Sequence, residues 1–306
     1  MIAVITGANG FIGQNLTRRF AERGWEVRRI VRADFEMNRI EELLRGAQVV
    51  VHAAGATRAP SIAGLRESNV GLTQRVTDAA TKARVDKLIF ISSLAAVGPS
   101  ASRDEPVDET TPASPIEDYG RTKLDAERVI ANSGLRFTIV RPAAVYGPAD
   151  SDFLEMFRVA RRGLAIHAAN REQWISIIHV HDLADALVNA ASMPEADGRV
   201  YCLGNARPIQ WAELFPIAAK CAGKRVRLDV EMPNSIVSIG ARVGDAIGKA
   251  RGKAGLWSSG KTALAKPSAW VCSSALARRE LRLRPETPLE RGFCETYQWY
   301  LEHGWL

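Results

Sequence analysis

MIAVITGANGFIGQN, residues 1–15, decides how the rest of the chain is read. Met1 to Ile5 is a short apolar run suited to a buried strand, and Thr6 to Gly10 is a turn. Phe11 to Arg23 has helical spacing, with Ile12, Leu16 and Phe20 on one face. A helix that begins in a glycine turn aims free N–H groups and the positive end of its dipole at one point, which suits a pyrophosphate. Gly7 allows the tight turn, Gly10 admits a ligand to the backbone, and Gly13 lets helix and strand pack closely. Asn9, Phe11 and Ile12 complete the loop, and the stretch predicts a dinucleotide site.

The next strand, within WEVRRIVRAD (residues 25–34), should end beside the adenosine ribose. A carboxylate at such a tip takes the ribose hydroxyls of NAD, whereas an arginine takes the 2′-phosphate of NADP. Arg32 stands at the tip and favours NADP; Asp34, two residues on, keeps NAD open. Of Arg28 and Arg29, adjacent on a strand, one must point away.

The 306 residues, 46% of them hydrophobic, suffice for a large core in one or two domains. With a strand expected from residue 2 and no long apolar run, the expectation is a cytoplasmic protein without a leader or a membrane span. Cys202, Cys221, Cys272 and Cys294 are dispersed and are expected to be reduced thiols. Net charge is +7, yet residues 220–284 alone carry 14 Lys and Arg against 4 Asp and Glu. Without aromatic interleaving or a binding motif, nucleic acid is not the expected partner. A small substrate, for which an anionic group stays open, or an acidic surface fits better. The basic stretch around residues 236–266 could lie on a membrane surface or cap a substrate pocket, and both readings stay open.

Up to Pro148, strands alternate with helices: VVVHAAG, KLIFISS and RFTIVRP are separated by the helical stretches ESNVGLTQRVTDAATKA and EDYGRTKLDAERVIA. This rhythm predicts an α/β fold with a doubly wound parallel sheet. Residues 1–148 and 173–206 read as the dinucleotide-binding Rossmann domain. Residues 149–172 and 207–306 read as a smaller substrate-binding region. The segment between Arg32 and Arg39 is too short for a full crossover and strand, so one strand should be abbreviated. Thr287 to Glu290 reads as a capping box with proline at the first helical position.

Tyr119 and Lys123 lie four apart on an expected helix and share a face, where an ammonium favours the phenolate. The preceding strand ends in Ser92-Ser93, at the edge where doubly wound sheets bind ligands. TGANGFIG, HAAG, SNVGLT, ISSLAAVG, YGRTK, RPAAVYGP and IHVHDLADAL follow one another in this order. In these motifs the chain resembles the extended short-chain dehydrogenases/reductases, the NAD-dependent epimerase/dehydratase family.

The resemblance implies that Tyr119 donates or accepts the proton, that Lys123 lowers its pKa and holds the nicotinamide ribose, and that Ser93 orients the substrate oxygen. Ser92 is the fallback and a cofactor neighbour. Ala53, Ala54 and Gly55 would line the cofactor cleft, and Pro142 would begin the loop passing the nicotinamide. Asn69 looks like the family's helix asparagine. Two departures bear on substrate: Arg141-Pro142-Ala143-Ala144 lacks the asparagine of nucleotide-sugar enzymes, and Ile175 stands where they place a diphosphate-binding arginine. VRRIVR and SSLAAVGP are more similar to the dihydroflavonol reductase and 3β-hydroxysteroid dehydrogenase branch. The expectation is an NADP-preferring oxidoreductase of a secondary alcohol or ketone, forming a homodimer. The alternatives are a nucleotide-sugar epimerase or dehydratase, and a silent dinucleotide-sensing scaffold. His179 and His181, two apart, lack an evident third ligand, so no metal is expected.

Overall fold

The computed structural model describes residues 1–306 apart from 38, 168–169, 233–238, 240–262 and 286, so most of the basic stretch lies outside the described residues. The first half runs β1 (Ile2–Thr6), α1 (Phe11–Glu22), β2 (Glu26–Ile30), α2 (Arg32–Glu36), α3 (Ile40–Leu44), β3 (Val49–His52), α4 (Ile62–Arg66), α5 (Leu72–Ala83), β4 (Lys87–Ile91), α6 (Asp118–Ala131), β5 (Phe137–Pro142) and β6 (Ala144–Tyr146). The second runs α7 (Leu154–Ala160), β7 (Leu164–His167), β8 (Trp174–Ile175), β9 (Ile177–His179), α8 (Val180–Ser192), β10 (Arg199–Leu203), β11 (Ile209–Gln210), α9 (Leu214–Cys221), β12 (Leu228–Glu231), β13 (Ala269–Trp270), α10 (Ala275–Glu280) and α11 (Leu289–Glu302).

Six parallel strands form the central sheet in the order β10-β5-β4-β3-β1-β2. Every residue of β3 and β4 is buried, as expected of parallel strands covered on both faces. One face packs Leu16 and Phe20 of α1 against Leu183 and Leu187 of α8, and the other packs Val76 of α5 and Ile130 of α6. The chain leaves β1 toward β2 on one side and β3 on the other, so the ligand crevice falls between β1 and β3. At the β2 edge the abbreviated strand does not appear among the described residues, where α2 and α3 follow β2 instead.

The smaller region rests on an aromatic cluster of Phe153, Phe157, Phe215, Phe293 and Tyr300. Its strands pair as β7 with β12, and as β8 between β11 and β13. Trp174 and Ile175, placed by sequence in the Rossmann part, thus pair outside the central sheet. At the start of α11, Pro288 is the N-cap residue and Thr287 turns its hydroxyl to Asp182 Oδ1 (3.2 Å), so the expected capping box does not form.

The reduced-thiol reading needs correction for one pair. Cys221, at the end of α9, is disulfide-bonded to Cys294 in α11, 73 residues away. The packing of α9 on α11 creates that juxtaposition, which spacing along the chain does not reveal. Cys202 and Cys272 are buried free thiols. Among the described residues no helix is long and apolar enough to cross a membrane.

Candidate active site

Gly7 has φ +67°, and a Cβ there would lie 2.8 Å from the backbone of Ala54. A Cβ on Gly13 would lie 2.1 Å from the Gly7 carbonyl oxygen. These two glycines bring α1, the loop and the end of β3 into contact. Gly10 is the N-cap of α1, no side chain caps it, and its first turn carries no acid. The N–H groups of that turn therefore face the crevice unclaimed by any side chain, a cradle that fits a pyrophosphate. Asn9 is exposed, and its Oδ1 accepts from Arg29; Phe11 and Ile12 are half-buried. Arg28 turns the other way, donating to the Arg45 carbonyl (2.6 Å), so Arg29 is the strand arginine that faces the loop.

Arg32 opens α2, exposed and without an ion pair among the described residues. Asp34 Oδ2 accepts from the Val31 N–H at 2.8 Å, closing a turn on its own helix. One oxygen of the candidate ribose ligand is thereby engaged.

Below the crevice runs a hydrogen-bond chain that sequence reading missed. Thr73 Oγ1 donates to the Asn69 carbonyl (2.5 Å), so toward His52 Nε2 (3.0 Å) it can only accept. His52 Nδ1 is then the acceptor for the Thr6 hydroxyl (2.7 Å), whose oxygen takes the Ala54 N–H (3.1 Å). Burial, helped by Lys123, brings the imidazole down to about 3, so it stays neutral. Asn69 lies in a π-turn, residues 67–71, and clamps Ala56 through both its N–H (2.8 Å) and its carbonyl (3.0 Å). A Cβ on Gly55 would lie 2.8 Å from Asn69 Oδ1, so only glycine passes there. Ala53, Ala54 and Gly55 follow β3 on this frame, and Pro142 ends β5 at the same edge of the sheet.

Glu117 caps α6, its carboxylate accepting from the backbone N–H of Tyr119 (2.6 Å) and of Gly120 (2.5 Å). Tyr119 is thus fixed at the first turn, near Ser93 at the end of β4, whose hydroxyl favours ionisation of the phenol. Burial outweighs that pull and pushes the phenol up to about 12, with Glu117 and Asp152 acting in the same direction. Lys123 follows one turn later; its ammonium donates to the Ile91 carbonyl (2.6 Å) and sits 4.2 Å from the Phe90 ring centre. Burial brings it down to about 7, against the opposing charge of Glu127. The lowering that burial opposes at the phenol comes from the Ser93 hydroxyl.

Ser92 points elsewhere. Its hydroxyl donates to Glu127 Oε1 (2.5 Å), and Arg141 grips the same carboxylate at 3.0 and 2.7 Å. Neither the fallback catalytic role nor the cofactor role suits a hydroxyl so occupied; alternation along the strand turns Ser92 into the core and Ser93 to the crevice. At the mouth, Arg58, in the loop after β3, pairs with Asp152, in the loop before α7, at 2.9 Å. This link between the two regions stands beside the phenol and was not legible in the sequence.

The fold does bring a third group, Glu295, to His179 and His181. His179 Nδ1 accepts the His181 backbone N–H (3.3 Å), and His181 Nε2 accepts from Arg18 (2.6 Å). The protons of the neutral rings therefore sit on the nitrogens facing Glu295, at 3.8 and 3.7 Å. A metal would need lone pairs there, and the donor set does not fit one.

The chain matches the NAD dependent epimerase/dehydratase family over residues 3–204. It is 29% identical to a ceramide reductase of Caulobacter vibrioides, over all of this chain and 96% of that protein. It is 24% identical to a farnesyl-dihydroquinoline-oxide ketoreductase of Stigmatella aurantiaca, over 82% of this chain and 81% of that protein. Among solved structures, MoeE5 in complex with UDP-glucose and NAD superposes with a TM-score of 0.79 at 22% identity, covering 99% of each chain. With the family's motif residues gathered at the end of a doubly wound sheet, this chain is an enzyme of the NAD-dependent epimerase/dehydratase family.

Proposed function

We propose that the protein is an NADP-preferring ketoreductase of weakly polar, long-chain carbonyl compounds, with Tyr119 as proton donor. When bound, the nicotinamide supplies the hydride chemistry. The glycine loop and the first turn of α1 would hold its pyrophosphate, Arg32 and Arg29 the 2′-phosphate side, and Lys123 the ribose. Ser93 donates to the substrate oxygen, and Tyr119 gives that oxygen its proton as negative charge develops. The observation that carries the reading is the placement of Tyr119: Glu117 fixes it at the first turn of α6 beside the Ser93 hydroxyl, with Lys123 one turn on, an arrangement that suits proton delivery to a carbonyl oxygen.

Two features support the substrate class. Ile175 is buried among Phe153, Phe215 and Ile209, so no cation stands at that position to meet a diphosphate. A relative that matches over the whole chain is a ceramide reductase. Incubating the purified enzyme with NADPH and a long-chain 3-oxo amide should consume NADPH in equal measure to product. Copurified, tightly held cofactor with no net NADPH turnover would point instead to the nucleotide-sugar epimerase reading. A homodimer belongs to the same proposal, and sedimentation equilibrium tests it.

A further inference from the structure

Far along the chain from the catalytic residues, β7 and β12 form a two-stranded parallel sheet with Leu228 opposite Leu164 and Val230 opposite Ile166. Side chains alternate across it. Ala165 and His167 face inward and are buried, and Asp229 follows them, reaching His167 Nε2 at 3.0 Å. The outward face is therefore aliphatic: Leu164 is half-buried, while Ile166, Leu228 and Val230 are 38%, 55% and 40% exposed.

Cations gather where this sheet begins. Arg161 and Arg162 end the α7 segment, and Lys224, Arg225 and Arg227 occupy the turn between α9 and β12. Gly163 joins the two groups: its carbonyl accepts from the Arg227 N–H (2.7 Å), and a Cβ on it would lie 3.0 Å from the Arg225 carbonyl oxygen. None of these five cations forms an ion pair among the described residues. Asp229 is engaged by His167 and Arg171, and Glu231 lies at the far end of the strand. The Cys221–Cys294 disulfide pins the start of the turn to α11, so the cations are presented from a tethered turn.

We propose that this face docks the protein on the surface of an anionic lipid bilayer, the cations meeting headgroup phosphates and Leu228, Val230 and Ile166 entering the headgroup boundary. Each Lys or Arg near such a surface strengthens binding about fivefold. The aliphatic side chains are what separates a bilayer from other polyanions, since nucleic-acid phosphates offer them nothing apolar. The inference goes beyond the substrate reading and does not depend on it.

The test is co-sedimentation of the full chain, without substrate, on vesicles of phosphatidylcholine alone and of phosphatidylcholine with phosphatidylglycerol. Binding is expected only on the anionic vesicles, and to weaken with salt. A doubly substituted Arg225→Glu/Arg227→Glu protein should lose at least about tenfold in affinity. Leu228→Ser/Val230→Ser should lose several-fold and leave a remainder that salt abolishes. The far-ultraviolet circular dichroism spectrum and thermal midpoint, unchanged in both, report that the fold survives. The proposal is overturned by absence of binding to anionic vesicles at low salt, or by equal binding to neutral ones. It is equally overturned if the serine variant binds like wild type while duplex DNA displaces the vesicles, which would assign the cations to nucleic acid.

Discussion

Gly120 and Ala95 approach so closely that a Cβ on the glycine would lie 2.2 Å from the Ala95 carbonyl oxygen. This approach sets the first turn of α6 against the loop after β4 and so brings Tyr119 to Ser93. Gly120→Ala should push the helix away. We expect a loss of turnover of roughly 10-fold or more, because small misplacements of reacting groups are costly, with NADPH affinity little changed. Kinetics and calorimetry on the variant check both parts.

Removing the phenolic oxygen should be more severe. Tyr119→Phe is expected to lower kcat by roughly 100-fold or more, the scale of a lost general acid, while cofactor titration stays near wild type. Wild-type turnover in the Phe variant would remove Tyr119 from the mechanism.

Cofactor preference turns on Arg32, exposed and free of ion pairs among the described residues, against Asp34, which has one oxygen engaged by Val31. NADPH should bind more tightly than NADH. Arg32→Ala should narrow the gap by about 1.5 to 3 kcal/mol, the usual worth of a hydrogen bond to a charged group. Tighter NADH binding that is lost in Asp34→Ala would reverse the assignment.

His52 and His179 both fall from an ordinary 6.5 to about 3, mainly through burial. Their folded values lie below the unfolded one. As pH falls through 6.5, the unfolded chain takes up protons that the folded chain refuses, and stability declines toward pH 3. Between pH 6 and 5 the two groups together should cost roughly 2 to 3 kcal/mol. Guanidinium unfolding at several pH values should show this slope, and His52→Asn should reduce it.

The motifs from TGANGFIG to IHVHDLADAL made the sheet, the crevice and the placement of Ser93, Tyr119 and Lys123 legible, because each lies within one short segment. What escaped reading joins distant segments. The His52 chain links β1, β3 and α5. Glu127 meets Ser92 and Arg141 only once α6 lies on the sheet. Cys221 meets Cys294 only where α9 packs on α11. Glu117 was overlooked because a glutamate at N-cap is not among the favoured capping types. Burial around Tyr119 escaped for a related reason: a phenol's charge partners can be guessed from spacing, but its desolvation cannot.

The central claim, net reduction of a ketone with Tyr119 as acid, is tested most directly by isotope transfer. Enzyme is incubated with NADPH carrying deuterium at the transferring C4 position and a long-chain 3-oxo amide, and the product is read by mass spectrometry. The account predicts one deuterium on the new carbinol carbon per NADPH consumed, a yield that collapses in Tyr119→Phe. Unlabelled substrate recovered with the NADPH intact, while a UDP-sugar is interconverted by cofactor already held in the protein, would contradict it.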